Sequence, residues 1–234
     1  MITVYPYENL GRANFGWLDA HYHFSFARYH NPDRMGFGVL RVINDDIVKA
    51  GAGFDPHAHS DMEIITFVRS GAITHRDSQG NLGRTDAGNV QVMSAGTGIQ
   101  HSEFNRENED TTLYQIWIVP KEKGIAPRWD AREFSKTPVT DALNLLVSGR
   151  AGDKDKGALY IHQDAAIYGG TIPSGKTITH PITGQAYMLV SSGTIEMLGE
   201  TIEAGAGVEI TEHDNITITA KDDAEVIVIE VPAM

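Results

Sequence analysis

The chain has 234 residues, 19 Lys and Arg against 31 Asp and Glu, a formal net charge of −12 at pH 7, and no cysteine. The absence of cysteine excludes disulfides, thiolate metal sites and thiol nucleophiles, and the acidic balance disfavours nucleic acid as a direct partner. Hydrophobic residues at 41% with 21% charged residues fit a folded globule large enough to bury a core without covalent staples. Residues 1–8 carry neither a basic cluster nor an apolar run, so no leader peptide is expected. No apolar stretch approaches the ~20 residues of a membrane span, and a cytoplasmic location without membrane contact is the expectation.

In chain order, residues 15–29 hold Phe15, Trp17, Tyr22, Phe24, Phe26 and Tyr29, an aromatic density that predicts a packed strand or corner. Asp19, His21 and His23 alternate within it, but the packing reading outweighs that of a second ligand site. Short β-branched runs follow at 64–68, 114–119, 216–219 and 226–231, separated by turn formers at 77–81, 86–89 and 191–193. Many short strands with Gly-rich turns predict an all-β sandwich or barrel. Helix is expected to be minor, with one short stretch near 127–134.

The two halves echo each other. Residues 67–74 (Phe-Val-Arg-Ser-Gly-Ala-Ile-Thr) resemble residues 189–196 (Leu-Val-Ser-Ser-Gly-Thr-Ile-Glu), and Ala87-Gly88 answers Ala204-Gly205. Two copies of one β-unit follow, expected at 1–130 and 131–234, with residues 120–127 supplying linker chemistry. The polar segment 149–157 reads as an exposed surface loop.

The chemistry concentrates between residues 57 and 103. His57-Ala58-His59 places two imidazoles two apart, and His101-Ser102-Glu103 does the same for an imidazole and a carboxylate. Strand periodicity puts each pair on one face. On neighbouring strands, three nitrogens and one oxygen then converge, a donor set for a divalent first-row metal with positions left for water, substrate or dioxygen. Glu63, four residues after His59, shares its parity and competes with Glu103 as fourth ligand; spacing leaves the two tied. His75 near a turn, the His162/Asp164 pair, His180 and His213 are weaker candidates. Around His180 the sequence Pro181-Ile182-Thr183 offers no second ligand, so the second unit is expected to hold no metal.

Gly51-x5-His57-x-His59-x3-Glu63, followed by Gly71, resembles the first cupin motif. The second cupin motif is altered. Gly88 and Gly96 are present, but Ser94 stands where Pro is usual, two extra residues precede His101, and Glu103 lies between His101 and Asn105. With Gly16-Trp17-Leu18-Asp19, His23-Phe24-Ser25-Phe26-Ala27, Met35-Gly36-Phe37, residues 40–46 and residues 93–103, these departures resemble the pirin family of bicupin proteins. The resemblance covers most of residues 11–120, and the later half is similar only to a degenerate cupin. It implies two cupin-type β-barrels with metal only in the first, held by His57, His59, His101 and Glu103. Glu103 also becomes the candidate catalytic base. The implied cofactor is one divalent ion per chain: iron foremost, with manganese, nickel, cobalt, copper and zinc also suiting the donors. The implied activity is that of a quercetin 2,3-dioxygenase acting on a flavonol and O2, by a monomer or weak oligomer. Nuclear pirins imply an alternative, a metal-responsive binding protein without turnover.

Overall fold

The computed structural model describes residues 1–233. The chain opens with β1 (Ile2–Tyr5), β2 (Gly11–Asn14), β3 (Leu18–Tyr22) and β4 (Leu40–Val48). Next come β5 (Gly53–His59), β6 (Glu63–Ser70), β7 (Ala72–Asp77), β8 (Leu82–Asp86) and β9 (Val90–Ser94). Then follow β10 (Ile99–Phe104), β11 (Thr111–Ile118), β12 (Arg128–Arg132), β13 (Asn144–Ser148), β14 (Leu159–Tyr160) and β15 (Ala166–Ile172). The last are β16 (Thr177–Pro181), β17 (Gln185–Ser192), β18 (Thr194–Met197), β19 (Glu200–Glu203), β20 (Gly207–Ile210), β21 (Asn215–Ala220) and β22 (Ala224–Val231). Two 3-10 turns, Tyr7–Asn9 and Ala151–Asp153, are the only helical elements among the described residues. None is long and apolar enough to cross a membrane.

The expected all-β architecture in two units is present, though each unit is assembled from separated segments. One comprises residues 11–134 with 159–163; the other comprises 1–10, 135–158 and 164 onward. Relative to a single cut at residue 130, residues 1–10 group with the later unit, and residues 131–134 and 159–163 with the earlier one. The amino-terminal β1 pairs with β20, Ile2 opposite Ile210, a ladder between residues some two hundred apart that leaves no local trace in sequence.

In the unit of residues 11–134, seven strands run in the order β12-β9-β6-β11-β4-β3-β2, and four in the order β5-β10-β7-β8. Its pairings are antiparallel throughout. In the other unit, six strands run β1-β20-β17-β22-β15-β13, and four run β16-β21-β18-β19. Its core joins Met188, Val208 and Val228 of the larger sheet to Ile178, Ile195 and Ile218 of the smaller. The alternating exposed and buried positions of β16 show why: every second side chain faces the opposing sheet.

The internal echo is geometric as well as verbal. Gly71 (φ 71°) joins β6 to β7, and Gly193 (φ 74°) joins β17 to β18. At each, a Cβ would come within 2.5 Å of a side-chain oxygen, that of Thr111 or of Asp222, so only glycine fits both the left-handed turn and the close approach. The Gly88 N–H donates to the Val68 carbonyl at 2.7 Å, as the Gly205 N–H donates to that of Val190 at 2.7 Å.

One sequence expectation changes in detail. The stretch 127–134 is not helical: β12 pairs with β9 from Arg128 opposite Ser94 to Arg132 opposite Val90. Trp129 stacks on buried His75 with centroids 5.0 Å apart, over Gly83, where any Cβ would strike the indole. This packing overrides local helix propensity. Loop 149–157 is tied to its own unit, the Ser148 hydroxyl donating to Asp153 at 2.7 Å and Arg150 to Glu230 at 2.7 Å.

Candidate metal centre

β5 and β10 build the centre. They pair antiparallel with His57 opposite His101 and Ile99 opposite His59. The two-residue period brings His57 and His59 to the face that His101 shares. Ring centroids lie 4.8 Å apart for His57 and His59, 4.5 Å for His57 and His101, and 5.1 Å for His59 and His101. One ligand nitrogen from each lies within 4.8 Å of the others, the one such cluster among the described residues.

These rings are poised to donate lone pairs. His101 is 3% exposed, yet neither ring nitrogen has a hydrogen-bond partner, a costly arrangement for a buried polar group unless something else satisfies it. Burial, then the neighbouring imidazoles, lowers the pKa of His101 to about 3 and of His59 to about 4, so both are neutral at pH 7. His57 Nδ1 lies 2.7 Å from the Asp55 carbonyl oxygen, and donating there leaves its Nε2 lone pair free. His59 is fixed edge-on to Trp117 at 4.9 Å. Orphaned, neutral, convergent nitrogens fit a divalent metal ion.

The structure separates the two carboxylate candidates. Glu103 is buried on β10 and lines the same cavity as the histidines. It lies outside the tight three-histidine cluster. Its Oε1 accepts from Thr66 Oγ1 at 3.0 Å and Gln91 Nε2 at 2.6 Å, and its Oε2 from Gln115 Nε2 at 2.6 Å. Glu63 shares no strand with His59. A turn through Asp61 (φ 48°) breaks the alternation, and Glu63 begins β6, so the parity argument for it fails. Its Oε2 accepts from Ser94 Oγ at 2.8 Å, and burial raises its pKa.

Thr66, Gln91 and Gln115 were not anticipated. Their signal was a single polar residue at an inward position of an apolar strand, as in Val90-Gln91-Val92. They occupy one row across the sheet: Asn44 opposite Gln115, Gln115 opposite Thr66, Thr66 opposite Gln91. The weaker candidates have other partners. Asp19 pairs with Arg12 at 2.6 Å, His75 with Asp77 at 2.8 Å, and His180 with Glu230 at 2.9 Å. His162 meets the Tyr160 ring edge-on.

The centre opens into a cavity of about 700 Å³ whose walls include Trp17, Phe26, Phe54, Phe104 and Trp117. The size suits a small organic molecule, and aromatic faces suit planar rings. Asn44 and Asp46 also line it. Burial, followed by the nearby Asp45 and Glu103 carboxylates, pushes the Asp46 carboxyl well above the usual range.

Comparison with known proteins adds a consistent set of matches. The family model Pirin matches residues 5–118, and the model described as quercetinase C-terminal cupin domain matches residues 145–231. A protein of Caulobacter vibrioides named pirin-like protein is 47% identical over 98% of this chain and 99% of its own length. A protein of Escherichia coli K12 named quercetin 2,3-dioxygenase is 41% identical over 99% of each. The crystal structure of the bacterial pirin YhhW from Escherichia coli in complex with nickel(II) matches with a TM-score of 0.92 and 40% identity, covering 100% of both chains.

Proposed function

The chain belongs to the pirin family, and from that premise we propose that it is a metal-dependent dioxygenase cleaving flavonols such as quercetin with O2. The observation that carries the reading is the three-histidine cluster, with both nitrogens of His101 unpartnered, in the wall of a cavity also lined by aromatic rings. His57, His59 and His101 hold the ion, proposed as iron, one per chain, though nickel, manganese, cobalt, copper or zinc suits the same donors. When bound, a divalent ion supplies Lewis acidity toward an adjacent hydroxyl and carbonyl of the substrate.

The fourth ligand and catalytic base in this proposal is Glu103. A carboxylate has about four lone pairs, and Thr66, Gln91 and Gln115 use three of those on Glu103. The remaining lone pair, on Oε2, serves the ion or receives the flavonol's hydroxyl proton. The three donors fix the carboxylate so that it needs no reorganisation to act. Trp17, Phe26, Phe54 and Trp117 bind the flavonol rings and keep water from them.

Aerobic incubation of the metal-loaded protein with quercetin tests the reading. Oxygen uptake with carbon monoxide release is expected. Loss of flavonol absorbance with neither, or no turnover with any reconstituted divalent ion, contradicts it and favours a metal-responsive binding role.

A further inference from the structure

The polar row behind the centre is divided in use. Gln115, Thr66 and Gln91 are bonded to Glu103 or to one another. One strand beyond Gln115, Asn44 is 5% exposed and Asp46, two residues along β4 on the same face, is 2% exposed. Both line the cavity, and Oδ1 of each has no hydrogen-bond partner. Asp45 between them faces the other way and pairs with Arg69, so it is not part of the cavity wall. The surrounding wall, Leu18, Ala20, Tyr22 and Phe26, is uncharged, and the one cation acting on Asp46 is Arg69, which pairs with Asp45. Two buried side-chain oxygens kept without partners in the wall of a largely apolar cavity are costly to the free protein, and a ligand offering hydroxyls would recover that cost.

We propose that Asn44 and Asp46 form a hydroxyl-recognition subsite, which selects aromatic substrates bearing hydroxyls remote from the pair of oxygens at the metal centre. The proposal rests on the flavonol reading and specifies which flavonols are bound. Donors on the substrate's outer ring hydrogen-bond to the Asn44 and Asp46 oxygens while the ring packs on the aromatic wall. A flavonol without such hydroxyls leaves both groups buried and unpaired, and is rejected for that reason.

Equilibrium binding separates this subsite from the reaction. Dissociation constants for quercetin and for 3-hydroxyflavone, which keeps only the adjacent hydroxyl and carbonyl, are measured under nitrogen on the nickel-loaded full chain. Quercetin is expected to bind about tenfold tighter or more, and Asn44→Leu and Asp46→Leu each to bring the ratio toward one. The leucine variants should unfold at the same temperature as the wild type or higher, since each removes an unpaired buried group. The smaller Asn44→Ala and Asp46→Ala, which also remove the acceptor oxygen, carry the same comparison should leucine not be accommodated. Equal affinities in the wild type, or a preference intact in all variants, overturns the subsite and leaves the dioxygenase proposal standing. If neither flavonol binds, the flavonol reading and the subsite fall together.

Discussion

The two units carry the same strand scaffold and fill its interior with opposite chemistry. In the first, the row across the larger sheet is Asn44, Gln115, Thr66 and Gln91. In the second, the row at corresponding strands is Tyr168, Val228, Met188 and Val208. The first unit's row supports a buried carboxylate, and the second packs an apolar core. Their histidines differ in the same sense. His101 has two unpartnered ring nitrogens. His180 is bonded to Glu230, whose other oxygen accepts from Arg150 at 2.7 Å and from the Thr183 N–H at 3.1 Å. Burial raises the Glu230 pKa, but the hydrogen bonds of His180 and Arg150 outweigh it and hold the group below its ordinary value. A buried polar group satisfied within the chain is structural; one left unsatisfied in a cavity is available to a ligand.

The largest effect expected from this contrast is at Glu103. Glu103→Gln should lower kcat/KM by about 100-fold or more, the usual contribution of a positioned base, and weaken metal binding. Glu63→Gln, on the other side of the turn from His59, should change each by no more than about tenfold, short of the upper range seen for groups supporting a ligand. Metal content and oxygen uptake of the two folded variants decide it, and a more damaging Glu63 change would reverse the assignment.

In the second unit the effect should appear in stability instead. His180→Ala leaves Glu230 buried with one partner fewer, at a cost of about 3 kcal/mol, while metal content and turnover stay as in the wild type. Replacing both His180 and Glu230 by Leu should recover only part of that loss, because Arg150 and the Thr183 N–H then lose their acceptor. Chemical denaturation gives the stabilities, and a His180 variant that loses metal would erase the distinction between the units.

A smaller effect concerns pH. In the metal-free chain burial lowers the pKa of His101 to about 3 and of His59 to about 4, against an ordinary imidazole value of 6.5. Between those limits the unfolded chain binds more protons than the folded one, so these groups favour folding fully above pH 6.5 and progressively less as pH falls toward 3. The stability of the metal-free wild type relative to His101→Ala should therefore decline as pH is lowered through that window. A difference independent of pH would show that His101 is not held neutral by burial.

How much of this was legible in sequence follows from how local each signal is. The strands were readable because β-branched runs alternate with Gly-rich turns, and the histidine cluster because a two-residue period fixes a face. The parity read for Glu63 fails because a turn at Asp61 (φ 48°) interrupts that period between β5 and β6. The strand at 128–132 was hidden because its partner β9 and the Trp129–His75 stack lie far away in sequence. The same holds for β1, which joins the second unit through β20. The row from Asn44 to Gln91 required the register of four strands, which no single segment contains.

The most direct test is a calorimetric titration of the chelator-treated chain with a divalent ion, run on the wild type, His101→Ala and His180→Ala. The account predicts one tight site per chain in the wild type, its loss in the His101 variant, and its retention in the His180 variant. Two comparable sites in the wild type, or a tight site surviving without His101, would contradict it.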